Sequence, residues 1–243
     1  MALHFLLPDE SSALPGDAVA LTGAEAHHAA AVRRVRVGEE VTVGDGRGTW
    51  LTGECEAVTP REVVVRVTAR TDVPAASPRI LLAQALAKGD RDELAVQAAT
   101  ELGVDEIIPW QSARSVSRWN AAKAEKGRAR WASIVREAAK QAHRAWIPDV
   151  ATLETTSTLA ARASASRVIV LEPTAELRLT ALTIDGTRDV VLVVGPEGGI
   201  APDELEALRN AGAEPARLGG TVLRTSTAGP AALAVVSAAM HRW

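Results

Sequence analysis

The chain has 243 residues, of which 47% are apolar and 23% charged, with a formal net charge of −3. That length allows one large domain, or a small one beside a medium one, with a sizeable core. The charge excludes a generally basic surface, so a nucleic-acid partner would have to meet a local basic patch.

The single cysteine, Cys55, rules out an internal disulfide and a cysteine metal cluster, and fits a reducing cytoplasm. No run of about 18 uninterrupted apolar residues predicts a membrane span. The start, MALHFLLPDESS, lacks the basic region of a signal peptide.

Residues 1–70 read as β-rich. Short apolar runs at Leu3–Leu7 and Val19–Thr22 precede alternating or apolar stretches at Val41–Val43, Trp50–Val58 and Val63–Thr68. Turn signals separate them, and the many short strands suggest a small barrel. One helical piece, Gly23–Val35, ends in Arg33, Arg34 and Arg36. These cations either complement the helix dipole in solvent or meet phosphate. The proline-bearing TDVPAASP marks a linker. The expected division is a first domain at 1–72, a linker at 73–78 and a second domain at 79–243.

Beyond the linker the pattern becomes α/β. Ile80–Leu86, Glu106–Trp110, Arg167–Leu171, Asp189–Val194 and Ala216–Leu218 read as strands. Asp90–Leu102, Ala121–Trp146, Thr155–Ala165, Pro202–Ala211 and Ala228–Arg242 read as helices. The alternation predicts a mainly parallel sheet covered on both faces. On Asp90–Leu102 the predicted buried face is Leu94, Ala95, Ala98 and Leu102. On the long helix, Arg136, Lys140 and Arg144 step by four opposite an apolar stripe, with Lys123, Lys126, Arg128 and Arg130 before them. A basic face of this kind is either solvated or set against RNA backbone. Trp119 either stacks on a base or packs over the helix that follows it.

Two glycine-rich loops carry the chemistry. Gly195-Pro196-Glu197-Gly198-Gly199 follows the apolar run VVLVV, and Leu218 through Thr227 (LGGTVLRTST) precedes the last helix. Glycines let backbone approach a ligand and expose bare N–H and C=O groups, although a ligand-free strand-to-helix turn would look the same. GxGxxG and GxxxxGK[ST] are both missing, which argues against a conventional dinucleotide or phosphate-loop site. Thr225, Ser226 and Thr227 offer helix caps. The five histidines are scattered, and the adjacent His27 and His28 do not share a helix face, so no metal site is expected.

Taken together, GPEGG after a strand, LGxxxLRTxTA before a terminal helix, KGDRDELAVQAATELGVDEIIPWQSARS, RWASIVREAAKQAHR and HHAAAVRRVRVGEEVTVGDGRG resemble the RsmE family across nearly the whole chain. These are bacterial 16S ribosomal RNA uracil-N3 methyltransferases of the SPOUT class. The resemblance implies an N-terminal PUA-like β-barrel and a C-terminal α/β domain with a trefoil knot. It also implies S-adenosyl-L-methionine as cofactor, and a homodimer through the knot region and last helix. Cofactor residues carried over are Leu171, Glu172 and Pro173; Val194, Gly195, Pro196, Gly198 and Gly199; and Leu218, Gly219, Val222, Leu223 and Thr225. The chain departs from the family at Met1-Ala2-Leu3-His4-Phe5, where many members have an arginine, and at Ser226, where many have glutamate.

Methylating N3 of an unstacked uracil requires alignment and the handling of one proton. Arg224 and Arg114 are the candidates for stabilising charge on the uracil oxygens. Glu197, an acid inside a pocket loop, is a candidate base or a hydrogen-bonding residue. Two other functions fit the same loops: methylation of tRNA or a ribose hydroxyl, and a non-catalytic RNA-binding assembly factor.

Overall fold

The computed structural model describes residues 2–243; Met1, counted in the first expected domain, lies outside them. Two compact units emerge. One holds the residues up to Ala75 together with Ala139–Ile147, and the other holds Ala76–Ala138 and Pro148–Trp243.

In the first unit, β1 (Leu3–Leu6), β2 (Ala18–Thr22), β3 (Glu40–Gly44), β4 (Thr49–Val58) and β5 (Glu62–Asp72) form one sheet, in the order β1-β3-β4-β5-β2. Only β1 and β3 run parallel. Side chains alternate in and out along β2, β4 and β5, as a half-buried strand requires. Residues from all five strands, among them Phe5, Leu21, Val41, Leu51 and Val65, meet in one apolar core. The register shifts between Thr52 and Gly53, where β5 carries the extra residue Thr68 of a bulge. A Cβ at Gly53 would lie 2.4 Å from the Arg66 carbonyl oxygen, so only glycine fits there. The predicted helix over Gly23–Val35 is a short α1 (Gly23–His27) followed by a π-helical turn, His28–Val32.

Ala139–Ile147 was expected in the second domain. It packs with the first unit because its backbone completes that unit's hydrogen bonds. Ile147 N–H donates to the Gly46 carbonyl at 2.9 Å, Gly48 N–H to the Ala145 carbonyl at 3.0 Å, and the Trp146 indole to the Val73 carbonyl at 2.8 Å. Lys140, expected on a basic outer face, is instead buried, and its ammonium donates to Glu25 Oε1 at 2.9 Å.

His4 is 7% exposed. It stacks on Trp50 with ring centroids 4.2 Å apart and 6° between planes, and a second imidazole, His143, lies at 5.4 Å. Burial, then the neighbouring His143 and Lys140, lower its pKa from the ordinary 6.5 to about 4. The folded state therefore keeps His4 neutral between those values while the unfolded chain binds a proton, so stability rises with pH across the window. The contribution is complete above about pH 6.5 and is lost as the pH falls through about 4, a change of roughly 3 kcal/mol at about 1.4 per unit. Urea unfolding of His4→Gln beside the wild type should show the stability gap between the two shrinking by most of that amount from pH 7 to pH 4. A constant gap would contradict the assignment.

In the second unit, six parallel strands follow the order β11-β9-β10-β6-β7-β8. They are β6 (Ile80–Ala85), β7 (Glu106–Trp110), β8 (Asp149–Val150), β9 (Arg167–Leu171), β10 (Val190–Val194) and β11 (Glu214–Ala216). β6 and β10 are buried at every position, which is why their sequences are almost continuously apolar. Each such valine or leucine contributes about 1.5–3 kcal/mol when fully buried. The sheet carries α2 (Arg91–Glu101), α3 (Ala121–Gln141), α4 (Thr156–Ala161), α5 (Pro202–Asn210) and α6 (Thr225–Ala239).

Several boundaries differ from the sequence reading. α3 stops at Gln141 instead of Trp146, because the chain turns at His143, whose φ is 53°. The short β8 was not predicted. On α2, Ala95, Val96 and Ala99 are buried while Leu94 is 49% exposed, so the helix is rotated from its expected face. The basic side chains of α3 are largely committed. Arg130 pairs with Glu93 at 2.8 Å, and Arg128 donates to the Val150 carbonyl at 2.9 Å. Trp119 packs edge-on against Trp131 at 5.3 Å, and a Cβ at Gly127 would lie 2.4 Å from its ring.

Candidate functional site

Strands held in register bring their exits together. Val194 pairs with Leu171, and Leu171 with Ala216, so β10, β9 and β11 end level. The three loops that follow leave one edge of the sheet side by side, the place where open parallel sheets bind ligands. They enclose a cleft of about 400 Å³, inside the roughly 300–1,000 Å³ typical of small-molecule sites.

Leu171, Glu172 and Pro173 line it from the first loop, and Val194, Gly195, Pro196, Glu197 and Gly199 from the second. Leu218, Gly219, Val222, Leu223, Arg224 and Thr225 line it from the third. Gly198 and Arg114 do not line the cleft but meet each other: Arg114 Nη1 donates to the Gly198 carbonyl at 3.0 Å. The cleft also takes in Arg91, Ile200, Ala216, Arg217, Thr221 and Ala228, which the sequence reading did not single out. Ile200 and Ala216 were findable as direct neighbours of the glycine loop and of β11. Arg91 sits 106 residues from its partner Glu197, and no local pattern links the two.

Glu197 ties the second loop to the turn after β6. Its Oε1 accepts from the Lys88 backbone N–H at 3.0 Å and from Arg91 Nη1 at 2.8 Å. Burial by itself would raise its pKa. Hydrogen bonds from its own N–H, from Lys88 and from Arg91 outweigh burial and hold the carboxyl below the ordinary range.

Thr225 was carried over as a cofactor residue, with helix capping as the alternative for its hydroxyl. The helix instead begins at Thr225 itself, with Arg224 as the preceding cap residue, and the hydroxyl reaches across the site. It donates to the Gly195 carbonyl at 2.9 Å and accepts from the buried Gln84 amide at 2.9 Å. The relay Gln84–Thr225–Gly195 thus fastens the two glycine loops to each other through β6. Thr225→Val should lower unfolding stability by about 1–3 kcal/mol, because the amide and the carbonyl both lose a partner in a buried setting. An unchanged urea midpoint would show the relay to be dispensable.

A buried carboxylate fixes the neighbouring loop. Glu204, 7% exposed, accepts from the Ser112 hydroxyl at 2.9 Å, Ala113 N–H at 2.9 Å, the Thr156 hydroxyl at 2.6 Å and Ala201 N–H at 3.3 Å. It therefore anchors the segment bearing Arg114 to the start of α5. Arg224, by contrast, is exposed at the cleft, and its guanidinium makes no hydrogen bond or ion pair among the described residues. No group of three or more His, Cys, Asp or Glu side chains among the described residues is placed to hold a metal ion. No helix among them is long and apolar enough to cross a membrane.

Comparison with known proteins agrees with this architecture. The RNA methyltransferase domain family matches residues 75–237, and the RNA methyltransferase PUA domain family matches residues 21–68. Ribosomal RNA small subunit methyltransferase E of Mycobacterium bovis is 43% identical over 94% of this chain and 89% of its own. The crystal structure of ribosomal RNA small subunit methyltransferase E from Neisseria gonorrhoeae, bound to S-adenosyl methionine, is 29% identical with a TM-score of 0.87 and covers 98% of both chains. A Legionella pneumophila protein described as a methyltransferase, in complex with the bound cofactor SAM, is 30% identical with a TM-score of 0.86, again over 98% of both. With a family match across most of the second unit and a relative at 43% identity along nearly its full length, the chain belongs to the RsmE family, the ribosomal RNA small subunit methyltransferases E.

Proposed function

We propose that this chain transfers the methyl group of S-adenosylmethionine to N3 of a specific uridine in the 16S ribosomal RNA of the small subunit. The observation that carries the reading is the cleft at the level ends of β9, β10 and β11, closed by two glycine loops tied to one another. The cofactor supplies an electrophilic methyl group on a sulfonium centre.

The residues present fit such a group. Leu171, Val194, Ile200, Ala216 and Leu223 give apolar walls suited to a flat heterocycle. A Cβ at Gly219 would meet nothing within 4 Å, so protein packing does not demand glycine there, and the bare backbone is open to a ligand. Leu171, Glu172, Pro173, Val194 to Gly199, Leu218, Gly219, Val222, Leu223 and Thr225 form the cofactor site in this reading. In this reading the same loops thread the trefoil knot.

The chain's own work is to align N3 with the methyl group, exclude water and stabilise charge. Arg224 holds the negative charge that builds on the uracil oxygens as N3 gives up its proton to solvent water. Glu197, held ionised and below the ordinary range, is a weak proton acceptor and serves better as the tie between loops. Arg114, bonded to Gly198, positions that loop. Lys123 and Lys126 are exposed and unpaired among the described residues and are available to RNA phosphates.

The protein acts in the cytoplasm as a homodimer through the knot region and α6. Exposed Leu94 and Val222, 49% and 77% accessible, are apolar surface that a second copy would cover. Light scattering should give twice the chain mass, and a monomer at working concentration would contradict the dimer.

The direct test of the reaction is nucleoside mass spectrometry of small-subunit RNA after incubation with the chain and S-adenosylmethionine. The reading expects the added methyl on the uracil ring at N3. A methyl on a ribose oxygen, or no methyl at all, would replace it.

A further inference from the structure

A second cavity lies within the first unit, about 180 Å³ in size, lined by His4, His28, Arg33, Lys140 and His143 together with Ala2, Leu3 and Gln141. We infer that it holds a phosphate group of the RNA backbone, a contact that rests on the reading of this chain as an enzyme acting on RNA. Its lining decides the chemistry. Two cationic side chains and three imidazoles belong to its lining, and among the described residues no carboxylate does. Glu25 pairs with Lys140 but lies outside the lining. An oxyanion is the ligand that such a wall favours.

The components differ in how they are held. Arg33 is exposed, and its guanidinium makes no hydrogen bond or ion pair among the described residues, so its fork is available for bidentate contact. Lys140 is fixed by burial and by Glu25 at 2.9 Å. His4 stacks on Trp50 with His143 tilted beside it, and its Nδ1 lies 3.0 Å from the Thr42 hydroxyl, while its buried Nε2 has no hydrogen-bond partner.

His143 adds an independent observation. It stands at φ 53° just after the end of α3, a position where glycine is normally favoured. A non-glycine residue there bears a backbone cost. The residue that accepts that cost carries the imidazole facing the cavity.

The variants are chosen so that folding is not at stake. Arg33 has no protein partner to lose, and His143→Gly relieves the backbone. RNA affinity is measured by filter binding with in vitro transcribed small-subunit RNA at several salt concentrations. Inorganic phosphate is titrated in parallel while the imidazole resonances of the wild type are followed by NMR. Arg33→Gln and His143→Gly should each bind RNA several-fold more weakly, and Arg33→Gln should lower the salt slope by about one. Calorimetry with S-adenosylmethionine should be unchanged in both, since neither residue touches the cleft of the second unit.

Unchanged RNA slopes and affinities in both variants would overturn the inference. If phosphate also shifts the imidazoles in that case, the cavity is a free-anion site and not an RNA contact. Failure of the methyl-transfer reading is separate, because it would show as no methylation by the wild type.

Discussion

Arg224→Ala should lower the rate of methyl transfer by about two to three orders of magnitude, the effect of removing one preorganised donor from developing charge. The side chain lies at the cleft, and no described residue competes for its guanidinium. Its structural role is confined to the backbone, whose carbonyl accepts from Thr227 N–H at 2.9 Å and Ala228 N–H at 3.0 Å at the start of α6. Alanine keeps both bonds, so stability should move by less than about 0.5 kcal/mol, as for a surface substitution. Arg224→Lys should recover part of the rate, since charge returns without the planar fork. A wild-type turnover number in Arg224→Ala would remove this residue from the mechanism.

The largest loss of stability is expected at Glu204. Glu204→Ala would strand two hydroxyls and two backbone N–H groups around a buried position, those of Ser112, Thr156, Ala113 and Ala201. Each unsatisfied donor costs about 1–3 kcal/mol, and water entering the space offsets part of it. A net loss of roughly 3–5 kcal/mol is expected, read as a shift in the urea midpoint. Glu204→Gln keeps the shape but converts one acceptor oxygen into a donor facing donors, so it should recover only part of the loss. If Glu204→Ala unfolds at the wild-type midpoint, the four hydrogen bonds do not anchor the loop. Arg114 is two residues from Ser112, so kcat should also fall in any Glu204 variant that stays folded.

How much of this was legible in the residues depends on how local each cause is. VVLVV reads as a strand because two-faced burial leaves its mark at every position. GPEGG reads as a strand-to-helix turn whose glycines permit close backbone approach, with or without a ligand. The third loop lines the cleft, but its helix starts three residues earlier than expected. The hydroxyl of Thr225, which looks like a cap, is spent on Gly195 and Gln84, 30 and 141 residues away.

Lys140 looked solvent-facing because its helix is amphipathic and nothing nearby announces Glu25, 115 residues upstream. The return of Ala139–Ile147 to the first unit was hidden for the same reason: its hydrogen bonds go to Gly46, Gly48 and Val73. His4 sat in a short apolar run, and only the structure sets Trp50 and His143 beside it. Glu204 looked like an ordinary first-turn acid. Its donors on two other segments give it a second task that no spacing within α5 records.

The two glycine loops as one cofactor site are the claim on which the reaction, the role of Arg224 and the place of the knot all depend. Isothermal titration of the wild-type chain with S-adenosylmethionine tests it most directly, with Gly195→Val as the paired variant, because a Cβ there would lie 2.7 Å from Ile200 Cγ1 inside the cleft. One site per chain in the wild type, and heat lost or affinity at least tenfold weaker in the variant, is the predicted result. No heat from the folded wild type, or equal binding by both proteins, would contradict it.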